Sequence, residues 1–426
     1  MLSKLNRSIL IGNILDHFDV AIYSLLVPIL APLFFPEFDY IVSLILGYSV
    51  ISSSIITRPL GSIIFGLMVQ RIGAIKSLSY SLFGVSISTL LIGLLPTYQS
   101  IGFNSTLALI TLRSLVGIFG AGESIIASLY ILEGKSLEGE SRSQAFRISS
   151  LYNGSTMFGI LLASFASWAV IAHQSWSESQ FLKEHLWRVC FIFGGAGGFV
   201  GYFLRQTAKE CNINSLRDKL SLSLILKQIY QSRYVVYVIA ITSGFSYMTY
   251  AIPFIVMNSF IPLITNITLP EMMEYNAYLM ILDLILIFII RSIFSNFDIK
   301  LILFSSSLIL GLTIIPLWYF LPHASILYVM SIRIWIIILG VIFACPLNIW
   351  YKKLCNSQSN YLIIGIGSSI GYGFFGKITS AFCLWLWYVT NAPISIAIYF
   401  AFFGLISSIV IIKMRSNLSN RINVFS

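Results

Sequence analysis

The chain has 426 residues, of which 57% are hydrophobic and only 10% are charged. Soluble globular proteins carry about 25% charged residues, so this composition excludes a water-soluble protein and indicates an integral membrane protein. The net charge of +10 would suggest a nucleic-acid partner for a soluble chain. In a membrane protein, Lys and Arg instead collect in the cytoplasmic loops, and we expect no nucleic acid to bind.

The N-terminus is predicted to be a retained first helix. Lys4 and Arg7 precede a hydrophobic stretch that is too long for a signal peptide and has no small-residue cleavage site. The five cysteines are far apart and form no CxxC pattern, so they predict neither a disulfide framework nor a zinc site. We expect no metal and no cofactor, apart from the proton as a coupling ion.

Twelve stretches are apolar over the ~20 residues that a helix needs to cross a bilayer. The first six are predicted at 8–34, 41–69, 77–97, 106–132, 145–172 and 187–204, and the last six at 235–258, 270–290, 301–321, 325–350, 362–389 and 393–412. The most polar stretch of the chain separates the two sets. The pattern predicts an all-α membrane protein with two six-helix bundles, 1–204 and 235–426, joined by a basic cytoplasmic linker, 205–234.

The distribution of Lys and Arg predicts the orientation in the membrane. With the N-terminus in the cytoplasm, twenty of the 26 basic residues fall on the inner side and only Lys183 and Arg188 on the outer side. The positive-inside rule therefore predicts that both termini are cytoplasmic. Two sets of six helices around a basic linker are typical of a transporter built from two similar halves. The alternative is a polytopic membrane enzyme or receptor, but no HExxH, GxSxG or P-loop motif supports an enzyme.

Eight charged residues fall within the predicted spans at more than five residues from either end, where each charge costs at least about 2.5 kcal/mol. The acids are Asp16, Asp19, Glu123 and Asp283, and the cations are Arg58, Arg113, Arg333 and Lys377. Equal numbers of both signs predict that these side chains pair or line a shared cavity. Arg333 has two interpretations, a packing cation or a side chain that reaches out to the membrane surface.

Helix 1 carries the first group of candidates. Asp16, Asp19 and Tyr23 lie on one helix face, and Asp19 lies ~16 Å along the helix, close to the middle of the bilayer. A carboxyl there can take up and release a proton as access alternates, which predicts a proton-coupling role for Asp19 and Asp16. The alternative is a structural ion pair that holds helices 1 and 4 together.

Helix 4 carries the complementary cation. A guanidinium binds a carboxylate in a bidentate fork, so Arg113 is predicted to anchor a substrate carboxylate, with Tyr23 as a further binding residue. Glu123, about 15 Å along the same helix, is a candidate second proton site or gate. The alternative for helix 4 is close packing through Gly117, Gly120, Ala121 and Gly122 with one ion pair.

In the second half, Lys377 lies in a glycine-rich predicted helix, and Asp283 reaches a similar depth from the opposite face. We predict that these two side chains pair in at least one state, and that substrate competes for Lys377 in the other.

Several segments of the first half resemble one family. "GNILDHFDVAIYSLL" (12–26) followed by "LFFP", "RPLGSIIFG" (58–66), "IGLLPTYQSIG" (92–102), "RSLVGIFGAGE" (113–123) and "LWRVCFIFGG" (186–195) occur in order. They resemble the metabolite:proton symporters of the major facilitator superfamily, which include proline/betaine and dicarboxylate transporters. The resemblance implies the twelve-helix major facilitator fold in a bacterial-type inner membrane. It also implies proton symport of a small zwitterionic or anionic metabolite by a protein that functions as a monomer.

The loop between helices 2 and 3 departs from this family. The family motif G-x-x-x-D-R-x-G-R-K-x stands here as "GLMVQRIGAIK", which keeps Gly66, Arg71, Gly73 and Lys76 as a cytoplasmic gate motif. Gln70 replaces the acid, so the usual charge latch is weakened. An exchanger or uniporter of the same fold, or a substrate sensor that does not transport, therefore remains an alternative.

Overall fold

A computed structural model describes residues 4–132, 140–176, 180–206, 230–294, 297–354 and 360–422. These residues are helical almost throughout and contain no strand, which confirms the predicted all-α class. Up to residue 206 the helices are α1 Lys4–Phe34, α2 Tyr40–Ser52, α3 Ser54–Ile72, α4 Ala74–Leu94, α5 Tyr98–Ile101, α6 Phe103–Leu132, α7 Glu140–Trp176 and α8 Gln180–Gln206.

The remaining helices begin at Arg233 and include two π-helical segments. They are α9 Arg233–Ala251, a π segment Ile252–Val256, α10 Met257–Ile264, α11 Leu269–Phe294, α12 Ile299–Tyr319, α13 Ile326–Leu354, α14 Asn360–Ile370, a π segment Gly371–Lys377, α15 Thr379–Thr390 and α16 Ile394–Ile422. π-Helical turns are rare and occur frequently at functional sites.

Ten helical runs in the described part of the chain are long and apolar enough to cross a membrane. They coincide with ten of the twelve predicted spans. The other two predicted spans, 187–204 and 362–389, fall within α8 and within the run from α14 to α15. That these two also cross the membrane stays a prediction.

Two helix ends differ from the predicted spans for local reasons. The span predicted at 41–69 is divided at Ser53, where the backbone hydrogen bonds shorten to three residues: the Ser53 N–H donates to the Val50 carbonyl oxygen at 3.2 Å, and the Ile56 N–H donates to the Ser53 carbonyl oxygen at 3.3 Å. Such tighter turns are common at helix ends. The span predicted to reach residue 97 ends at Leu94, because Leu95 precedes Pro96 and takes an extended conformation.

The chain divides into two compact units. Unit 1 comprises Met1–Leu222 with Thr268–Leu284, and unit 2 comprises Ser223–Ile267 with Ile285–Ser426. The first part of α11 thus groups with unit 1, where Asn276 Nδ2 donates to Ser164 Oγ of α7 at 3.2 Å. The bundle boundaries 1–204 and 235–426 stay a prediction, since residues 207–229 of the predicted linker lie outside the described residues.

Glycines bring the helices of unit 1 close together. A methyl group on Gly159 of α7 would lie 2.2 Å from the carbonyl oxygen of Ile14 in α1, and one on Gly61 of α3 would lie 2.1 Å from that of Ile118 in α6. These distances are too short for any side chain. Small residues permit such close backbone approach in membrane helices, and here they bring α7 against α1 and α3 against α6.

Unit 2 uses the same device between α9 and the second π segment. A methyl group on Gly371 would lie 2.3 Å from the carbonyl oxygen of Ala240. Elsewhere in unit 2, α12 and α16 approach at Gly311 and Gly404, where a methyl group on Gly404 would lie 3.1 Å from the Gly311 Cα. The glycine-rich stretch that contains Lys377 therefore packs closely against α9, and its second part is π-helical.

Candidate functional site

Asp19 and Arg113 form an ion pair inside unit 1. Arg113 Nη1 donates to Asp19 Oδ2 at 3.2 Å, and Thr89 Oγ1 of α4 donates to Asp19 Oδ1 at 2.6 Å. Asp19 and Arg113 are 2% and 6% exposed, so the pair is almost fully removed from the surface. Each charge satisfies the other in a low-dielectric setting, where the loss of one partner typically costs 3–5 kcal/mol.

Tyr23 completes this group from one turn further along α1. The Arg113 Cζ atom lies 4.4 Å from the centroid of the Tyr23 ring, a cation–π contact. The Tyr23 hydroxyl donates to the Gly47 carbonyl oxygen of α2 at 3.1 Å, which holds the ring in place. The structure thus brings together three of the predicted site residues: Asp19, Arg113 and Tyr23. Their roles in transport stay a prediction.

Asp16 lies one turn before Asp19 on α1 and is 1% exposed. Its Oδ2 atom is 4.0 Å from His17 Nδ1, which also lies 2.9 Å from the Asn13 carbonyl oxygen. Gly120 of α6 lies close to the Asp16 carboxylate, since a methyl group on Gly120 would lie 3.0 Å from Asp16 Oδ1. The same methyl position is 3.8 Å from Nη2 of Arg58, which is half-buried on α3.

A neutral polar cluster joins α1 to α7 one turn before Asp16. The side-chain amide nitrogen of Asn13 lies 2.7 Å from Ser155 Oγ, 2.8 Å from Thr156 Oγ1 and 3.2 Å from the Tyr152 carbonyl oxygen. Asn13 is fully buried. These contacts hold α1 against α7 one turn before Asp16.

Glu123 is buried on α6, three residues after Gly120.

The predicted cytoplasmic gate motif lies at the end of α3 and in the turn into α4. Gly73 has a φ of 89°, a conformation that favours glycine, and its N–H donates to the Val69 carbonyl oxygen at 3.0 Å. Arg71 and Lys76 are exposed there, and a methyl group on Gly66 would have nothing within 4 Å. The gate role of this motif stays a prediction.

Three further predicted residues lie outside this group. Lys377 ends the second π segment and Arg333 lies on α13; both belong to unit 2 and are buried. Arg333 is 0% exposed, so the alternative that it reaches out to the membrane surface is wrong. Asp283, on the part of α11 that groups with unit 1, is 4% exposed, and its Oδ2 has no hydrogen-bond partner among the described residues. The predicted pair of Asp283 and Lys377 stays a prediction.

Thr89 and Gly120 contribute to the site and were not among the predicted site residues. Thr89 lies in a stretch with several other Ser and Thr residues, so no sequence signal distinguishes it from them. Gly120 belongs to a group of small residues that was interpreted only as a packing surface. Both are identified only by their position in the fold, because Thr89 donates to Asp19 and Gly120 lies beside Asp16.

Comparisons with known proteins agree with this architecture. Residues 8–210 match the family described as "Sugar (and other) transporter". Over 200 residues the chain is 31% identical to the proline/betaine transporter of Salmonella typhimurium, covering 47% of this chain and 38% of that protein. Over 183 residues it is 28% identical to the citrate-proton symporter of Klebsiella pneumoniae, covering 43% and 39%. The chain therefore spans only about two fifths of the length of the curated relatives it matches.

A solved structure extends the likeness to the whole fold. The D-xylose-proton symporter matches with a TM-score of 0.75 and 16% identity over 96% of both chains. The chain thus has the fold of the major facilitator superfamily, and the predicted resemblance to its proline/betaine-type transporters is confirmed. These relatives are transporters by name, in agreement with the prediction that the chain is not an enzyme.

Proposed function

We propose that the chain is a secondary transporter that imports a small carboxylate-bearing metabolite, zwitterionic or anionic, together with protons. Transport would proceed by alternating access in a bacterial-type inner membrane, with both termini in the cytoplasm and the chain acting as a monomer. The observation that carries this proposal is the buried ion pair of Asp19 and Arg113. A permanently charged anion-binding group there contacts a group that can be neutralised by one proton.

The coupling follows from competition for Arg113. An ionised Asp19 occupies the guanidinium, so an incoming carboxylate meets no free cation. A proton on Asp19 removes that negative charge, and Arg113 then offers its planar donors to the substrate carboxylate. Proton and substrate therefore favour each other's binding, and this coupling is reciprocal by thermodynamic linkage. When both leave on the cytoplasmic side, Asp19 and Arg113 pair again.

Two neighbours suit the site to this exchange. The Thr89 hydroxyl donates to Asp19 Oδ1 and so holds that side chain in place when the substrate is absent. The Tyr23 ring stacks on Arg113 and holds the guanidinium in place whether its partner is Asp19 or a substrate. Arg113 therefore stays oriented throughout the proposed cycle, while only the anion that it binds changes.

The substrate class is supported by two independent observations. A guanidinium is the side chain best shaped for planar recognition of a carboxylate. The relatives named above carry proline, betaine or citrate, and each of these compounds bears a carboxylate.

The distribution of Lys and Arg supports the proposed orientation. No cofactor is required beyond the proton.

Uptake into proteoliposomes, with and without an imposed pH gradient, tests the proposal. A symporter accumulates substrate when the outside is acidic, whereas a uniporter or exchanger only equilibrates or swaps it. The replacement of the motif acid by Gln70 favours a uniporter as the second candidate. Binding without flux in either condition would identify a sensor. The substrate can first be found by thermal stabilisation of the purified chain, since a ligand that binds the folded state raises its apparent stability.

A further inference from the structure

Thr89 directs its hydroxyl away from its own helix. Ser86 and Ser88, its nearest hydroxyl-bearing neighbours on α4, each donate to the carbonyl oxygen four residues earlier, at 2.7 Å and 2.8 Å. Thr89 Oγ1 instead donates to Asp19 Oδ1 of α1 at 2.6 Å. The two side chains are 1% and 2% exposed, so the contact is buried. The hydroxyl thus bonds the carboxyl of another helix, although its own helix offers an acceptor.

The two oxygens of Asp19 meet different kinds of donor. Among the described residues, Oδ2 accepts from Arg113 Nη1 at 3.2 Å and Oδ1 accepts from the Thr89 hydroxyl. A guanidinium only donates, whereas a hydroxyl can both donate and accept. A proton on Oδ2 would therefore point at a cation, but a proton on Oδ1 has a potential acceptor 2.6 Å away. Oδ1 is the oxygen at which Asp19 can carry a proton without repulsion.

A second acceptor is available to Thr89 on its own helix. A threonine in a helix has two favoured side-chain orientations, because its hydroxyl can bond a carbonyl oxygen three or four residues earlier. For Thr89, the carbonyl oxygen four residues earlier belongs to Val85. Ser86 and Ser88 already bond the equivalent oxygens. α8 adds no side chain beside Thr89, since a methyl group on Gly194 would lie 3.6 Å from Thr89 Cγ2.

We propose that Thr89 is a reversible hydrogen-bond partner of Asp19, which donates to the ionised carboxylate and accepts from the protonated acid. In the second state the Asp19 O–H donates to Thr89 Oγ1, and the Thr89 hydroxyl turns to donate to the Val85 carbonyl oxygen. Each donor thereby keeps an acceptor in both states. Thr89 is a positioning residue, since it acts through Asp19. The inference rests on the proposed function, in which Asp19 gains and loses the proton.

This role matters most when proton and substrate are both bound. In that state Arg113 binds the substrate carboxylate, so Thr89 is the described partner that remains for the Asp19 O–H, and a buried donor without an acceptor is costly. In the empty carrier, by contrast, Asp19 keeps Arg113 even without Thr89. Removal of the hydroxyl should therefore weaken substrate binding. If the hydroxyl only held Asp19 in the empty carrier, its removal would leave substrate binding unchanged or tighter.

Infrared difference spectroscopy of the purified full chain tests the inference without any substrate. The spectrum at neutral pH is subtracted from that at acid pH, and the carbonyl band of protonated Asp19 is the one that Asp19→Asn abolishes. Loss of a hydrogen bond moves the carbonyl stretch of a carboxylic acid to higher wavenumber. We expect Thr89→Val to shift this band upward and Thr89→Ser to leave it in place. Ser88→Ala is the matched control, because it removes a buried hydroxyl whose hydrogen bond stays within α4.

Binding and transport test the consequence for the substrate. The probes are glycine betaine, proline and citrate, measured by thermal stabilisation and by uptake into proteoliposomes with an acidic exterior. We expect Thr89→Val to weaken binding of the probe that stabilises the wild-type chain by at least about fivefold, and to lower its accumulation. Thr89→Ser should restore both properties, and Ser88→Ala should change neither.

The other outcomes separate the inference from the proposed function. An Asp19 band that Thr89→Val does not move, or substrate binding that is unchanged or tighter in that variant, overturns the inference and leaves the proposed function standing. The absence of an Asp19 band at acid pH overturns both, because Asp19 then takes up no proton. Failure of all three probes to bind contradicts the proposed substrate class, and the infrared shift then decides the inference. If Thr89→Val does not fold, Thr89→Ala removes the same hydroxyl with a better helix former and must shift the band in the same direction.

Discussion

Arg113 of α6 lies over the ring of Tyr23 of α1, with 4.4 Å between its Cζ atom and the ring centroid. Asp19, one turn earlier on α1, binds the edge of the same guanidinium at 3.2 Å. The cation is therefore held on one side by a neutral ring and on another by a group whose charge depends on one proton. Arg113 can therefore keep its position while the anion that it binds is exchanged.

Replacing Asp19 by Asn should uncouple transport from the proton. Asn keeps the shape of the side chain but has no titrating group and no negative charge for Arg113. We expect uptake driven by a pH gradient to be lost, while substrate binding or exchange is partly retained. The measurement is accumulation in proteoliposomes with an acidic exterior, with counterflow at equal pH as the control for a folded carrier. Normal uphill uptake by this variant would exclude Asp19 as the coupling residue.

Replacing Arg113 by Lys should weaken substrate binding strongly. Lys keeps the positive charge, but it lacks the planar fork and the flat face that stacks on Tyr23. We expect the Kd to rise at least tenfold, equivalent to about 1.4 kcal/mol, while the thermal stability stays close to that of the wild type. An unchanged Kd would assign Arg113 to a purely structural ion pair between α1 and α6.

Replacing Gly159 by Ala should destabilise unit 1. The new methyl group would lie 2.2 Å from the Ile14 carbonyl oxygen, so α7 must move away from α1, and overpacking of this kind typically costs 1–3 kcal/mol. Gly66→Ala is the control, since a methyl group there has nothing within 4 Å and Ala is favoured over Gly in a helix. Thermal unfolding of both variants in detergent measures the effect. Equal stability of the two variants would show that the α1–α7 contact is not close-packed.

The charged residues that interrupt the apolar spans were the most informative part of the sequence for locating the site. Charged residues are rare in apolar spans, so Asp19 and Arg113 could be identified as candidate site residues. The sequence also indicated the alternative, a structural ion pair between helices 1 and 4. The sequence could not predict which of the two acids contacts Arg113. Asp16 and Asp19 are only one helical turn apart, and the depth of a residue in the membrane cannot be estimated from the sequence to better than one turn. The Thr89 contact depends on how α4 packs against α1, which no local pattern encodes.

The fold, too, was predicted in part from the sequence. Long apolar runs predicted the helices correctly, because hydrophobic length is the main requirement for crossing a bilayer. The break at Ser53 and the two π segments were not predicted, because hydropathy does not register which carbonyl a backbone N–H binds. In the second π segment, Lys377 stands at the C-terminal end, where the local geometry determines the direction of its side chain.

Lys377 and Asp283 should behave as a coupled pair in function and stability. Both side chains are buried, with exposed fractions of 7% and 4%, and each lies in a membrane-crossing stretch by prediction. A buried charge whose partner is removed is costly, typically 3–5 kcal/mol, whereas replacement of both members by apolar residues is often neutral. We therefore expect Lys377→Met and Asp283→Leu each to lower expression and transport, and the double variant to recover stability.

The measurement is a double-mutant cycle on thermal stability and on uptake, in which coupling appears as a departure from additivity. Tyr372→Phe provides a matched control within the same π segment, since it alters a neighbouring polar group without changing any charge. Recovery of stability but not of uptake would indicate that the pair forms and that Lys377 also contacts the substrate. Strictly additive losses would mean that the two charges do not meet in any populated state, and Lys377 would then be a cation that acts on the substrate alone.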